Sequence, residues 1–313
     1  MGAPEERAAS YVRTTTAARC GLKVRVRGMR PRFIVLTALL AWVSNAGALG
    51  EAPATGAPLV LAVHPFLTKA EIVRRFTPTA DYLSRALGQP VTVRVGGTYA
   101  EHVFAVGHDE VDIAFMGPAV YVRMVNEFGP KPILARWEVN HRSTMTGVIA
   151  VPTASPVHAL AELRGRRVAF GDPDSTLSYY LQAWLLLKAG VPLSALGEYR
   201  FVGSHPNVAL AVLAGDFDAG AMLSEVYEEY APRGLRVLAV TPPAPERLFV
   251  ARGNAPPELV ARLRAVLLSM HESAAGREAM GKLNRGLTRF VPGAEADYQD
   301  LKTMMQPLMQ RAH

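Results

Sequence analysis

The stretch FGDPDSTLSYYLQAWLLLKAGVP, Phe170 to Pro192, crowds two carboxylates and three hydroxyls into one tight turn. An apolar helical pattern starts directly behind it. Leu177, Tyr180, Leu181, Trp184 and Leu185 recur at helical spacing, and Gly190 and Pro192 end the run. RRVAF reads as a strand ahead of it, so the turn joins the end of a strand to the start of a helix. In open α/β sheets, ligands bind at that place. A helix start leaves backbone N–H groups without partners and carries roughly half a positive charge. Ser175, Thr176 and Ser178 add hydroxyl donors, and the combination suits an oxyanion without any lysine. A plain N-cap by Asp174 or Ser175 accounts for one hydroxyl. It does not account for three, with Asp172 beside them. Carboxylates repel an anion unless they accept from backbone or from a protonated ligand oxygen. Acceptors of that kind select a protonated oxyanion over a fully ionised one.

Other residues are candidates by type and place. His205, in GSHPN ahead of an apolar helix, is either a capping residue or a donor to an anion, charged or neutral. Pro118, in FMGPAVY, sits in a second strand-to-helix turn. Tyr99, taken alone, reads as a packed aromatic. The remaining histidines show no metal-ligand spacing, so no metal or cofactor is expected. Ser175 lacks a G-x-S-x-G elbow, and no phosphate-binding loop or dinucleotide fingerprint occurs. An enzyme is therefore not expected, and a periplasmic hydrolase using Ser175 stands as the least favoured reading.

The elements that must position these residues alternate. LVLAVHP, VTVRV, VDIAFM, KPILARWEV, STMTGVIAV and RRVAFGD read as strands, separated by helical stretches. The helix from Lys69 contains Pro78, which should bend or split it. Such alternation predicts α/β layers with mostly parallel strands flanked by helices. FAVGHDEVDIAFM (104–116) and LAVLAGDFDAGAM (210–222) share Ala, Val, Asp and Met at matching offsets, which suits two similar lobes. The final helical stretch, DYQDLKTMMQPLMQRA, is expected to wrap over the first lobe.

The chain has 313 residues and a formal charge of +7. Residues 1–48 hold eight of its 34 bases and two of its 27 acids, so the remainder is at +1. The basic excess is thus local and argues against nucleic-acid binding. That segment reads as a secretory signal: RPR, the apolar run Phe33–Val43, then SNAGALG with Ala46 and Ala48. The run is shorter than the ~20 residues of a membrane span. Met29 is a possible start, and 49–57 a linker. The single cysteine, Cys20, precedes the cleavage site, so a disulfide framework is excluded. A periplasmic, monomeric protein is expected.

FGDPDSTLSYYLQ, FVGSHPNVALAVLAGDFDAGAMLSEVY and TPPAPERLFVARG, in that order, resemble the phosphonate/phosphite/phosphate-type periplasmic substrate-binding proteins of ABC importers. GGTYAEHVFAV and VDIAFMGPAVY fit the earlier part of the same family. The resemblance implies a two-lobed type II binding-protein fold, with a cleft and hinge between the lobes. Lobe one would be 58–144 plus 240–313, and lobe two 145–239. It implies that Ser175 and Thr176 hold phosphoryl oxygens, with Ser178 beside them, that His205 binds the same group, and that Tyr99 contributes from lobe one. Glu225 falls where an amine-binding carboxylate is placed, and Glu246 near a second such acid. Asp172, Tyr179 and Pro118 complete the candidate set. The chain departs from the family at Leu177, where a third small hydroxyl is usual, and at Met145 or Thr146, where an aromatic donor is usual. Specificity would then come from neutral donors in a dry cleft, not from a cationic counter-charge. The partner implied is a membrane ABC permease, or a membrane histidine kinase if the module senses rather than transports.

Overall fold

In a computed structural model, residues 56–310 are described. The expected leader, with Cys20, lies outside them. The chain first lays down β1 (Leu59–Val63), α1 (Lys69–Leu87), β2 (Val91–Val95), α2 (Tyr99–Gly107), β3 (Ile113–Met116), α3 (Pro118–Phe128) and β4 (Ile133–Val139). A short β5 (Thr144–Met145) carries it away to β6 (Gly147–Pro152), β7 (Arg167–Phe170), α4 (Leu181–Lys188), β8 (Glu198–Phe201), α5 (His205–Leu213), β9 (Ala219–Leu223), α6 (Ser224–Tyr230) and β10 (Leu235–Val240). It returns through β11 (Ala244–Pro245) to β12 (Leu248–Ala251), α7 (Pro257–Ser269), α8 (Ala274–Leu283), β13 (Leu287–Val291) and α9 (Gln299–Met309).

Two sheets result, in the orders β13-β4-β12-β3-β1-β2 and β10-β6-β9-β7-β8. Each is built on three parallel strands, β2-β1-β3 and β8-β7-β9. The strands next to each trio, β12 and β6, run antiparallel to it. Each follows a passage of the chain between the sheets. The two passages pair with each other as β5 and β11, Met145 opposite Ala244. STMTGVIAV, expected as one strand, is therefore broken at Thr146 to make this crossing.

Local sequence explains most elements. Thr68 caps α1, and Gly88 ends it in the left-handed conformation. Pro78 lies inside α1 without splitting it. The strands of the second sheet are covered on both faces: Ile149 and Val151 of β6 join Phe170 and Leu186, while Val148 and Ala150 join Val208, Val212 and Met222. That double burial explains the continuous apolar run of β6. Each fully buried Leu, Ile, Val or Phe contributes about 1.5–3 kcal/mol.

The repeated sequence pattern has a physical task. Asp112 Oδ2 accepts from the Val60 N–H at 2.8 Å, and the Asp112 N–H donates to the Val60 carbonyl. Asp218, at the matching offset, does the same to Arg167, with its Oδ2 accepting at 2.8 Å. Each aspartate thus fastens the start of one parallel strand to its neighbour. The C-terminal helix does more than was expected of it: α9 packs on both α3 and α4, and the Tyr298 ring ahead of it packs at a tilt against Tyr121, with centroids 4.8 Å apart. Among the described residues, no helix is long and apolar enough to cross a membrane.

Candidate functional site

The C-terminal ends of β1, β2, β3, β7, β8 and β9 all face one cavity of about 320 Å³. His64 follows β1, Tyr99 follows β2, and Gly117 and Pro118 follow β3. Gly171 to Ser178 follow β7, His205 follows β8, and Glu225 follows β9. Ligand sites form at this end of parallel strands because helix starts and connecting turns converge there.

Short-range hydrogen bonds build the polar turn. Asp172 Oδ1 accepts from the Asp174 N–H at 2.8 Å, and its carbonyl accepts from the Ser175 N–H. Ser175 Oγ accepts from the Ser178 N–H at 3.1 Å, so Ser175 is the cap. The helix then opens with a wide turn, Thr176–Tyr180: the Tyr180 N–H reaches back five residues to the Ser175 carbonyl. Leu177 leaves helical geometry there, at φ −117° and ψ 20°. Its freed carbonyl is taken by the Gln182 side chain at 2.7 Å, and the Ser178 carbonyl by the Gly171 N–H. A β-carbon at Gly171 would collide with Ser178, which explains the glycine. The N–H groups of Thr176 and Leu177 have no protein acceptor among the described residues. Wide turns of this kind favour functional positions because they release backbone groups.

The extra residue in that turn rotates the helix behind it. Sequence spacing put Trp184 and Leu185 on the buried face of α4. In the structure Gln182, Ala183 and Leu186 are buried, and Trp184 and Leu185 are only half-buried.

The candidates separate into three groups. Ser175, Thr176, His205, Tyr99, Pro118, Asp172 and Glu225 line the cavity, Glu225 from an exposed position at its edge. Thr176 Oγ1 also accepts from the Ala119 N–H at 2.9 Å, tying the turn to the start of α3, which follows a strand of the other sheet. Ser178 lines the cavity too, but its hydroxyl is buried and donates to the Ala221 carbonyl at 2.7 Å. That bond holds the turn to β9 and leaves Ser178 no proton for a ligand, a correction to its expected role. Tyr179 and Glu246 lie outside the lining. Tyr179 packs edge-on against Phe170 and Phe201. Glu246 is buried, with Oε2 accepting from Arg247 at 3.0 Å, so it has no carboxylate to offer an amine. Neither side chain lines the cleft: Glu246 is buried, and the half-buried Tyr179 ring is taken up by Phe170 and Phe201. Met145 lines the cavity, where it supplies apolar surface.

His205 is defined by one bond. Its Nδ1 lies 2.9 Å from the backbone nitrogen of Leu223. An amide N–H only donates, so Nδ1 accepts and the ring proton is on Nε2. Burial and, secondarily, the Arg247 charge lower its pKa to about 4. His205 is a neutral donor. Burial, then Asp172 and Asp174, push the Tyr99 phenol up, so it keeps its proton. Burial and the neighbouring Asp174 raise the Asp172 carboxyl, while the Asp174 N–H opposes them. Asp174 itself pairs with Arg123 at 2.8 Å.

Among the lining residues that sequence reasoning missed are His64, Arg75 and Arg247. The expectation of a cleft without cations is corrected by the two arginines. Arg75 pairs with Glu71 at 2.7 Å, and Arg247 pairs with Glu246 and lies over the Trp137 ring at 5.6 Å. Arg247 was within the motif TPPAPERLFVARG, next to the acid chosen instead. His64 directly follows the first strand, and the rule that located the polar turn would have located it too. Among the described residues, no cluster of three or more histidine, cysteine or carboxylate side chains has metal-binding geometry.

Comparison with known proteins agrees with this architecture. A 269-residue match to the phosphate-import protein PhnD of Mycolicibacterium smegmatis is 24% identical, over 78% of this chain and 84% of that one. PhnD1 of Prochlorococcus marinus, solved with methylphosphonate, superposes with a TM-score of 0.70 at 20% identity, over 80% of this chain and 98% of that one. XAC2383 of Xanthomonas citri, solved with ATP, gives 0.72 at 22%, over 82% and 100%. Both structures share the fold of this chain. Residues 61–298 match the model of the family described as ABC transporter, phosphonate, periplasmic substrate-binding protein, and the chain belongs to that family.

Proposed function

We propose that this protein captures a small phosphorus oxyanion in the cleft and presents it to an ABC importer in the membrane. One observation carries the reading: the Leu223 N–H fixes His205 as an Nε2–H donor on the wall that also holds the Ser175 and Thr176 hydroxyls. These neutral donors satisfy an anion without a full opposing charge in the turn. Arg75 and Arg247 supply positive potential, each already engaged by a glutamate. One named relative is a phosphate-import protein and another was solved with methylphosphonate, which supports the same chemical class here. The bond between Thr176 and the α3 amide links the lobes through the turn itself, which suits closure around a ligand. We propose the lobe limits 58–144 with 240–313, and 145–239, with β5 and β11 as the hinge.

The bonds of His205 run against a serine hydrolase. A triad histidine donates from Nδ1 and presents a lone pair at Nε2 to the serine. Here Nδ1 is the acceptor, so Nε2 carries the proton and takes none from Ser175.

The test is a thermal-unfolding panel on protein stripped of ligand by unfolding and refolding. Phosphate, phosphite, hypophosphite, methylphosphonate, aminoethylphosphonate, sulfate and arsenate are compared. A ligand at a hundred times its Kd stabilises by about 2.7 kcal/mol. A phosphorus oxyanion should raise the midpoint, and Thr176→Ala should abolish the rise. No shift with any oxyanion at millimolar concentration would reduce the turn to a cap.

A further inference from the structure

His64 is a buried polar side chain of the cleft to which the oxyanion reading gives no task. It is 5% exposed and directly follows β1. Its Nδ1 lies 3.2 Å from the Phe115 carbonyl, which only accepts. Nδ1 therefore donates, and the neutral ring carries a lone pair on Nε2. That edge borders the cavity wall: a β-carbon added at Gly117 would lie 3.7 Å from Nε2. No donor among the described residues reaches it. The ring is held by parallel stacking on Phe115 at 5.4 Å and by Tyr99 at 5.0 Å. A lone pair on a buried ring, facing a ligand cavity, asks for a proton from the ligand.

We propose that His64 Nε2 accepts a hydrogen bond from a protonated phosphoryl oxygen, so that the receptor takes its oxyanion as the monoanion. The inference rests on the phosphorus-oxyanion reading. The cleft then has two chemical sides. His205 and the hydroxyls of Ser175 and Thr176 face the unprotonated oxygens, and His64 faces the P–O–H. A dianion would set one of its own lone pairs against Nε2.

The surroundings keep His64 neutral. His102 on α2 is a second buried histidine 5.7 Å away, and Arg247 and Arg75 line the same cavity. Tyr99 is uncharged, and Asp172 faces the cavity from the polar turn. Burial lowers the His64 pKa to about 4, the Phe115 carbonyl opposes this, and the Arg247 charge adds to it.

Calorimetric titration with phosphate, phosphite and methylphosphonate tests this, in buffers of different ionisation enthalpy. Phosphate monoesters lose their second proton near pH ~6. At about pH 8.5 the free ligand is mostly dianionic, so the complex should take up about one proton. Affinity should fall ~tenfold per pH unit above the second ionisation of the ligand. Hypophosphite, a monoanion without a P–O–H, should bind weakly and with neither proton uptake nor pH dependence, and sulfate, a dianion throughout, should be rejected. These readings need no variant. His64→Asn keeps a donor for the Phe115 carbonyl through its amide and removes Nε2. It should lose at least ~tenfold in affinity for the monoanion and lose the pH dependence. Binding without proton uptake overturns the inference and leaves the oxyanion receptor standing. Sulfate bound with proton uptake also overturns it, because His64 itself would then be the protonated group. A dependence on His64 seen with aminoethylphosphonate but not methylphosphonate would assign the proton to the amine instead. If no phosphorus oxyanion binds at any pH, the function and this inference fall together.

Discussion

His64 and His205 face one cavity from the ends of different sheets and are wired in opposite senses. His64 donates to a backbone carbonyl, Phe115, and His205 accepts from a backbone amide, Leu223. Both rings are neutral, with pKa values lowered to about 4 chiefly by burial. Identical side chains thus present a lone pair on one wall and a proton on the other. The residue type alone carries no such information. The polarity of the backbone group each ring meets decides it.

Acid should break the comparison most completely. His64 and His205 are held near 4, and His102 near 3, against 6.5 for a free imidazole. Between those values the unfolded chain binds more protons than the folded one, so stability rises with pH. It should therefore be lost as pH falls from about 6.5 towards 4, by on the order of 1.4 kcal/mol per pH unit for each fully buried ring. His205, partly open to the cleft, should contribute less. Chemical denaturation across that range, with proton uptake on unfolding, measures the slope. A stability flat to pH ~4.5 would mean the rings are already charged in the folded state.

Substitution at one ring sharpens it. His205→Asn keeps an oxygen for the Leu223 N–H and removes the Nε2 donor. It should fold normally and lose about 10- to 100-fold in oxyanion affinity, the worth of a hydrogen bond to a charged group. His205→Phe should lose the same affinity and a further ~1–3 kcal/mol of stability, because it strands the amide. Calorimetry and thermal unfolding on the pair separate binding from folding. Equal binding by His205→Asn and the parent protein would remove His205 from the site.

The smallest effect concerns the turn that carries the hydroxyls. Gln182→Leu should leave the Leu177 carbonyl without a donor and cost about 1–3 kcal/mol in thermal stability. Ligand affinity should weaken only where the wide turn relaxes, because Gln182 does not line the cleft. An unchanged melting temperature would show that the carbonyl finds another donor.

Much of this arrangement was legible in the chain. The strand and helix alternation, the strand-to-helix position of Asp172–Ser178 and the motif around His205 all rest on neighbours close in sequence, whereas the paired aspartates Asp112 and Asp218 showed only as a repeat, their partners Val60 and Arg167 lying 52 and 51 residues away. Periodicity, caps and turns are short-range properties, and a linear reading reaches them. The roles of Ser178, Tyr179 and Glu246 were not legible. Ser178 and Tyr179 are set by groups that only the packed fold brings beside them, the Ala221 carbonyl and the Phe201 ring, and Glu246 by its burial in that fold. The phase of α4 escaped because one extra residue in a turn shifts every later side chain.

The sequence by itself determined the α/β layout and the strand-to-helix place of the polar turn, because local patterning specifies elements and the turns between them. Tertiary structure alone decided which groups in the cleft donate and which accept. His64 meets a carbonyl 51 residues away and His205 an amide 18 residues away. Such partners are fixed by how the strands and helices pack, and packing is settled only once the whole chain has folded.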